Sequence, residues 1–173
     1  MSSQPEAVDQ GAQLLAMYDR ALPQVYGYLR TRAGSEAVAE DLTAETFLAA
    51  VQAIERRSVP QLTVAWLIGV ARHKLVDHWR RVARDERNLR LLPDETEAPD
   101  GLDERFERAR THDVLESLGA HHRAALTLRY IDGLSVPEVA HHLDRTVHAT
   151  EALLVRARNA FRVAYARGES HDD

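Results

Sequence analysis

The side chains best suited to chemistry in this sequence are basic ones, grouped on two predicted helices. Guanidinium groups bind phosphate oxygens through paired hydrogen bonds, and a row of cations on one helix face matches the backbone of a nucleic acid. The first group is Arg80, Arg81 and Arg84, which share one side of their helix with His73 and Asp77, and the second is Arg156, Arg158 and Arg162. The same residues would also serve as a solvated helix face. Taken alone, the pattern leaves both interpretations open.

Catalysis and metal binding find little support in the sequence. The histidines include the adjacent pairs His121–His122 and His141–His142, but neighbours on a helix point about 100° apart and seldom bind one ion. No P-loop, dinucleotide-binding fingerprint or nucleophile motif occurs, and there are no cysteines. Asp41 and Glu45 form a carboxylate pair without a visible third partner. We therefore expect a protein that is not an enzyme and that has no metal or other cofactor.

The second basic group belongs to a pair of short-linked helices near the C-terminal end. Gly133 ends an apolar run, and Ser135 stands three residues before Glu138, which is the spacing of a capping box. The first helix is predicted over about 136–143, and Thr146 can cap a second, longer helix. Such a pair has the proportions of a helix-turn-helix, whose second helix enters the major groove of DNA. An ordinary helical hairpin with a basic face has the same pattern.

The distribution of charge says more than its total. The 173-residue chain has a net charge of −5, but residues 63–84 carry five basic and one acidic side chains, and residues 117–167 carry seven and four. Between them, residues 85–116 carry five basic and eleven acidic side chains. Two basic segments on either side of an acidic one suit two contact sites for a polyanion. No apolar run approaches membrane-spanning length and the N-terminus is polar, so we expect a cytoplasmic protein without membrane insertion.

The helical periodicity predicts an all-α fold of two small helical domains joined by an acidic flexible linker. The N-terminal domain is assigned to residues 11–86, with residues 1–10 expected to be disordered. Gly34 and Ser35 are predicted to end one helix and begin the next, which packs Phe47 or Leu48 in the core, and Thr63 is predicted to cap a third helix that ends near Arg84. The linker, 87–110, contains LLPDETEAPDGLDE, whose prolines, glycine and acids favour an extended chain. The C-terminal domain, 111–167, is predicted to be a four-helix unit that contains the helix-turn-helix.

Three stretches, in this order, resemble the extracytoplasmic-function group of the sigma factors of bacterial RNA polymerase. AEDLTAETFLAA (39–50) is similar to the group's polymerase-binding helix, which is usually close to AEDLxQExFLxA. TVAWLIGVARHKLVDHWRR (63–81) is similar to its promoter −10 helix, often TWLxxIARNxxxDxxRR. LTLRYIDGLSVPEVAHHL (126–143), followed by VRAR (155–158), resembles its promoter −35 helix-turn-helix. The resemblance covers nearly everything from about Leu14 to Ala166.

The resemblance implies a transcription initiation factor that binds core RNA polymerase, directs it to promoters through −10 and −35 elements and assists opening of the duplex. It assigns contacts with the clamp helices of the largest polymerase subunit to Asp41, Leu42, Glu45 and Phe47. It assigns −10 DNA to Ser58 and Leu62 of a loop, and to Arg72, Lys74, Asp77, Arg80 and Arg81 of the following helix. It assigns −35 DNA to Arg145, Thr146, His148, Ala149, Glu151, Ala152 and Arg156. An anti-sigma factor, common in the family, is the further partner expected.

The sequence departs from the family pattern at four positions. Ala44 replaces the usual glutamine of the polymerase-binding motif. Asp144 stands where the turn of the helix-turn-helix usually has glycine, and aspartate tolerates a left-handed backbone better than most residues. Glu151 and Leu153 stand where basic residues are frequent on the recognition helix. An acid at Glu151 repels phosphate but can accept a hydrogen bond from cytosine N4, which predicts an altered promoter preference.

Two other classes of protein remain open from the sequence. One is a helix-turn-helix regulator with an N-terminal helical sensing domain that binds DNA without polymerase; it leaves AEDLTAETF (39–47) unexplained. The other is an all-helical protein-interaction module, including a sigma-like protein without promoter activity. Salt-dependent binding of the free protein to duplex DNA would favour the regulator.

Overall fold

The described part of the chain is helical throughout. The computed structural model describes residues 5–89 and 104–169, and these form seven α-helices and one π-helical turn, with no strand. The elements are α1 Pro5–Arg30, α2 Glu36–Glu55, α3 Val64–Leu89, α4 Glu104–Ser117, α5 Ala120–Leu126, the π-helical turn Thr127–Ile131, α6 Val136–His142 and α7 Val147–Glu169. Two compact units result, Met1–Leu75 and Val76–Asp173, and the division falls within α3. The predicted all-α class is confirmed.

In the first unit, α1 packs against α2. Gly34 takes a φ of +83° after α1, and Ser35 then caps α2 by accepting a hydrogen bond from the amide of Val38. Both roles were expected from the sequence. The buried residues of these two helices recur at helical spacing: Leu14, Met17, Ala21, Val25, Leu29, Ala39, Leu42, Thr43, Thr46, Phe47, Ala50 and Ile54. They are the core residues that α1 and α2 contribute to the first unit.

The N-terminal end of α1 differs from the prediction. Disorder was expected over residues 1–10, but α1 begins at Pro5; residues 1–4 lie outside the described part. At the end of this stretch, the side-chain amide of Gln10 donates a hydrogen bond to the carbonyl of Val59 at 3.1 Å, which holds this part of α1 against the loop before α3. Pro23 lies inside α1 without dividing it into two helices.

The helices on either side of the acidic segment are longer than the sequence indicated. α3 was expected to end near Arg84 and α4 to begin near Thr111, whereas α3 ends at Leu89 and α4 begins at Glu104. The stretch that follows Arg84 lacks proline and glycine, so nothing local ends the helix there. Both ends of the predicted linker, 87–89 and 104–110, are therefore helical, and its middle, 90–103, lies outside the described residues.

The second unit is organised around α7. Its inward-facing residues pack in two clusters, one with α4 and α5 and one with α5 and α6. The first cluster contains Leu115, Leu118, Leu126 and Ala157, and the second contains Ala125, Leu153 and Leu154 with Val136 and Leu143 against them. Leu128 of the π-helical turn is also completely buried. The four-helix unit predicted for the C-terminal end is confirmed.

Candidate nucleic-acid interface

Two local hydrogen-bond motifs set the geometry of the helix-turn-helix. The capping box is formed as predicted: Ser135 Oγ accepts from the amide of Glu138, and the Glu138 carboxylate accepts from the amide of Ser135 at 2.7 Å. At the start of α7, Thr146 Oγ1 accepts from the amide of Ala149 at 3.1 Å. Because each cap satisfies amides that the helix leaves unpaired, α6 and α7 begin at defined residues.

The turn between α6 and α7 depends on one residue in a left-handed conformation. Asp144 has a φ of +52°, and the amide of the next residue, Arg145, donates to the carbonyl of Ala140 at 2.9 Å. The expectation that aspartate can take the place of glycine here is confirmed. On the other side of α6, the Arg129 guanidinium donates to the carbonyl of Leu134 at 2.9 Å. Arg129 thereby braces the loop that leads into the capping box, a role that the sequence did not reveal.

Most of the residues assigned to −35 DNA lie on one exposed face at the start of α7. Thr146, His148, Glu151, Ala152 and Arg156 are exposed, and Arg145 and Ala149 are half-buried. His148 Nδ1 lies 3.9 Å from Glu151 Oε2, and because both side chains are exposed, this contact contributes little to stability. Val155 is exposed on the same helix and was not among the residues predicted to contact DNA. Its position outside the periodic pattern of buried residues is the sequence signal that could have identified it. An exposed valine can contact the methyl group of thymine.

Two of the cations assigned to −10 DNA are paired with carboxylates on the protein itself. Lys74 Nζ lies 3.6 Å from Glu45 Oε2, and Arg80 Nη1 lies 3.7 Å from Asp77 Oδ1. Glu45 had been assigned to the polymerase-binding helix and Lys74 to the DNA-binding helix, so the structure brings these two sets of residues together at one point. Arg81 is exposed and Arg72 is half-buried.

The loop before α3 is anchored by two buried side chains and by a hydrogen bond from α1. Val59 and Leu62 are buried, Leu62 with only 4% of its surface exposed, and the side-chain amide of Gln13 donates to the Leu62 carbonyl at 3.5 Å. The Leu62 side chain anchors the loop, so a contact of Leu62 with −10 DNA, which stays a prediction, would use its backbone or the small part of the residue that lines the pocket described below. Ser58 is exposed, as a contact requires, although its hydroxyl donates to the carbonyl of Ala53 at 3.0 Å.

A polar pocket adjoins this loop. It has a volume of about 390 Å³ and is lined by Gln13, Ala16, Met17, Arg20, Leu62, Thr63 and Val64. Thr63 also caps α3, as predicted, by accepting a hydrogen bond from the amide of Trp66 at 3.1 Å. The pocket therefore has a fixed wall on the α3 side and a cation, Arg20, on the α1 side.

The exposed surface of α2 differs from the one that the motif suggested. Leu42 is only 2% exposed and Phe47 is also buried, with its ring edge against Tyr18 at a centroid distance of 5.0 Å. Both side chains support the surface from the interior, and their assignment as polymerase contacts stays a prediction. Asp41 is exposed and Glu45 is half-buried. Leu48, expected as an alternative core residue, is 59% exposed.

Each of the two units has an apolar groove on its surface. Within the first unit, a groove of about 500 Å³ lies between α1 and α2, lined by Tyr18, Leu22, Pro23, Tyr26, Glu40, Thr43, Ala44 and Phe47. Ala44, which stands in place of the usual glutamine, is one of these lining residues. Within the second unit, a groove of about 320 Å³ is lined by Thr111, Leu115, Leu126, Tyr130, Ile131, Arg158, Phe161 and Arg162. Sequence reasoning found neither groove, since each is formed by residues from separate helices.

Within residues 5–89 and 104–169, no three histidine or acidic side chains are grouped so that they could hold a metal ion. In the same residues, every helix is too short or too polar to cross a membrane.

Comparisons with known proteins agree along the chain. The family models for sigma-70 region 2 and sigma-70 region 4 match residues 17–85 and 108–161, respectively. The ECF RNA polymerase sigma factor SigL of Mycobacterium tuberculosis is 31% identical over 163 residues, which cover 91% of either chain. The ECF RNA polymerase sigma factor BldN of Streptomyces coelicolor is 33% identical over 147 residues, 82% of this chain and 56% of BldN. This chain thus spans little more than half the length of BldN.

The solved structures of similar fold include the following one. It is the sigma factor RpoE of Bartonella quintana, in complex with the anti-sigma factor NepR, with a TM-score of 0.52 and 21% identity over 90% of this chain and 96% of that one.

Proposed function

Because this chain belongs to the extracytoplasmic-function sigma factors of bacterial RNA polymerase, we propose that it binds core polymerase in the cytoplasm and directs it to specific promoters. It acts by binding, without catalysing a reaction. The observation that carries the proposal is the exposed surface of α2, where an acid, Asp41, and an apolar side chain, Leu48, stand on one helix. A helix-turn-helix regulator that works without polymerase has no need of such a surface.

The polymerase-binding surface that we propose is smaller than the motif suggested. It consists of Asp41, Glu45 and Leu48, with the buried Leu42 and Phe47 holding α2 in place. Acidic side chains beside exposed apolar ones suit a partner helix that offers cations around an apolar strip.

The −10 element is recognised by the loop before α3 and by the basic residues of that helix. The polar pocket beside the loop takes a base extruded from the opening duplex; Arg20 lines this pocket, and Ser58 is exposed on the loop. Taking a base out of the stack costs a few kcal/mol, so a preformed pocket favours opening only if its walls do not have to be ordered first. The buried side chains of Val59 and Leu62 support this role.

The −35 element is recognised by the exposed face of α7. Arg145, Thr146 and Arg156 contact the phosphate backbone, and His148, Ala149, Glu151 and Ala152 lie over the base edges. This division follows the geometry of the motif, in which residues near the start of the second helix reach the bases.

An anti-sigma factor controls access to these surfaces. The two apolar grooves offer such a partner concave sites for aromatic and aliphatic side chains. The complex of RpoE with NepR shows that a protein of this fold takes such a partner.

The proposal is tested by adding the purified protein to core polymerase and mapping transcript starts on fragmented genomic DNA. Discrete new starts that share −10 and −35 elements would establish a sigma factor. Stable polymerase binding without new starts would point to a sigma-like interaction protein. If the protein does not associate with core polymerase, the proposal is wrong, and the stand-alone regulator takes its place.

Glu151 gives a prediction about promoter choice. Replacing Glu151 with lysine should abolish the preference for cytosine at one −35 position, because the carboxylate that accepts from cytosine N4 is gone, and favour guanine there. Discrimination at that position should change by about 1–3 kcal/mol, the usual value of one good base contact. The measurement is competitive binding to a −35 library.

Asn159→Lys is the matched control for Glu151→Lys, because it adds a cation to an exposed position of the same helix. The control should raise affinity evenly for all −35 sequences. If Glu151→Lys also changes affinity without changing the preference, Glu151 does not read a base.

A further inference from the structure

The end of α3 is attached to the start of α5 by two side chains that the proposed DNA contacts do not use. Glu86 Oε2 accepts a hydrogen bond from the amide of Ala120 at 3.1 Å. The N-cap position of α5 is Gly119, which has no side chain and makes no cap hydrogen bond of its own. Glu86 therefore provides, from a distant part of the chain, an acceptor for one of the amides that the start of α5 leaves unpaired within the helix.

The second attachment joins Arg87 to His121. Arg87 Nε lies 3.1 Å from His121 Nε2, and Arg87 Nη2 contacts the same ring nitrogen. An arginine side chain can only donate hydrogen bonds, so His121 Nε2 must carry a lone pair, and the ring proton must be on Nδ1. The contact requires a neutral imidazole. A protonated ring would turn a donor and a positive charge toward the guanidinium.

The surroundings of His121 favour the neutral imidazole, as the contact with Arg87 does. Its pKa is lowered below the usual value of 6.5, mainly because the ring is partly buried and next because of the Arg87 charge. Arg145, at the start of the turn into α7, and His122, beside it on α5, lower it further, while Glu86 opposes the shift. Since the attached state binds the proton less readily than a solvated His121 would, acid favours detachment. The attachment is complete above the usual histidine pKa and weakens as the pH falls below it.

We propose that Glu86, Arg87 and His121 form a pH-sensitive latch, which holds the end of α3 on the start of α5 when His121 is neutral and releases it when His121 is protonated. Arg145 lies close enough for its charge to act on His121, so the latch adjoins the turn of the helix-turn-helix. The latch stands on contacts within the second unit and does not depend on the proposed function.

The test uses the absence of cysteine from the chain. A single Asn88→Cys substitution, at an exposed position next to the latch, carries a nitroxide label in the full-length protein. The relaxation enhancement at the amides of Ala120 and His121 is then measured from about pH 8 to about pH 5, on either side of the usual histidine pKa. In the otherwise natural sequence the enhancement should be strong at high pH and lost at low pH.

Two substitutions at His121 separate the latch from a general effect of acid. His121→Gln keeps a neutral hydrogen-bond acceptor, so its enhancement should stay strong over the whole pH range. His121→Arg carries a permanent charge, so its enhancement should be absent throughout. A natural sequence that shows the same enhancement at both ends of the pH range would overturn the proposal, and so would a His121→Gln variant that still responds to pH.

A titration of the His121 ring signals provides a readout that does not need the label. Arg87→Ala removes the guanidinium and should raise the pKa of His121 toward its usual value. Arg84→Ala removes an exposed arginine three residues earlier on the same helix and should leave that pKa unchanged. Equal titration in the two variants would show that Arg87 does not act on His121, and the latch would be rejected.

Discussion

Replacing Leu48 with aspartate is expected to weaken binding to core polymerase by at least about tenfold, which corresponds to ~1.4 kcal/mol. Leu48 is 59% exposed, so the free protein gains little from it. Burying a leucine side chain fully contributes about 1.5–3 kcal/mol. Because more than half of Leu48 is still exposed in the free protein, much of this free energy is gained only when the partner covers the side chain. Aspartate loses this contribution and adds the cost of an anion facing an apolar contact.

The control for Leu48→Asp is Gln52→Asp, one turn further along the same exposed side of α2. It adds the same charge without removing apolar surface, and we expect its affinity to stay close to that of the natural sequence. Fluorescence anisotropy with labelled protein measures both affinities, and circular dichroism verifies that both variants fold. Unchanged binding of Leu48→Asp would remove Leu48 from the polymerase-binding surface.

Replacing Leu128 with alanine is expected to destabilise the second unit by about 2–5 kcal/mol, the usual cost of truncating a buried leucine. Leu128 is 0% exposed, and its carbonyl accepts a hydrogen bond from the amide of Leu134 in the loop before α6. A cavity at this position would loosen the packing between the π-helical turn and α6. A small domain has a total stability of only about 5–15 kcal/mol, so affinity for −35 DNA should fall as well.

The matched control is Ile131→Ala, in the same π-helical turn, where the side chain is 50% exposed. Its loss of stability should be below about 1 kcal/mol, as expected for truncation of a partly exposed side chain. Urea unfolding, followed through amide signals of α5 to α7, isolates the second unit from the first. Similar losses for the two variants would show that Leu128 does not belong to the core.

The features that could be predicted from the sequence are those decided by neighbours in the chain. The caps at Ser35, Thr63, Ser135 and Thr146 were all expected, because each joins a side chain to an amide three residues away. The left-handed conformation of Asp144 follows from its place in the short turn between α6 and α7. The order of the helices follows from periodicity, and the family follows from three motifs.

The interior face of α2 was harder to predict, because this helix is apolar on more than one side. Thr46 is completely buried although threonine is polar; its hydroxyl donates to the carbonyl of Leu42 at 2.7 Å and so needs no other partner. Burial of Thr43 and Thr46 turns Leu48 and Val51 outward. The choice between these faces depends on the fit against α1, which the sequence of α2 does not contain.

Contacts between distant residues were also beyond sequence reasoning. The bond of Glu86 to Ala120 and the pair of Lys74 with Glu45 join residues that no local pattern connects. The same holds for the helical ends of the predicted linker. Which residues read DNA and which bind polymerase remains a prediction, and the substitutions above are designed to test it.

The carboxylates paired with Lys74 and Arg80 act as counterions that the protein itself carries. When such a cation binds a DNA phosphate, its ion pair with the carboxylate is broken and a new ion pair with the phosphate is formed. DNA still sheds its condensed cations, but part of the attraction is lost in separating the protein's own pairs. Affinity for −10 DNA should therefore be lower than the number of basic side chains implies. Polymerase that engages Glu45 would free Lys74 for DNA, so one partner's binding would strengthen the other's.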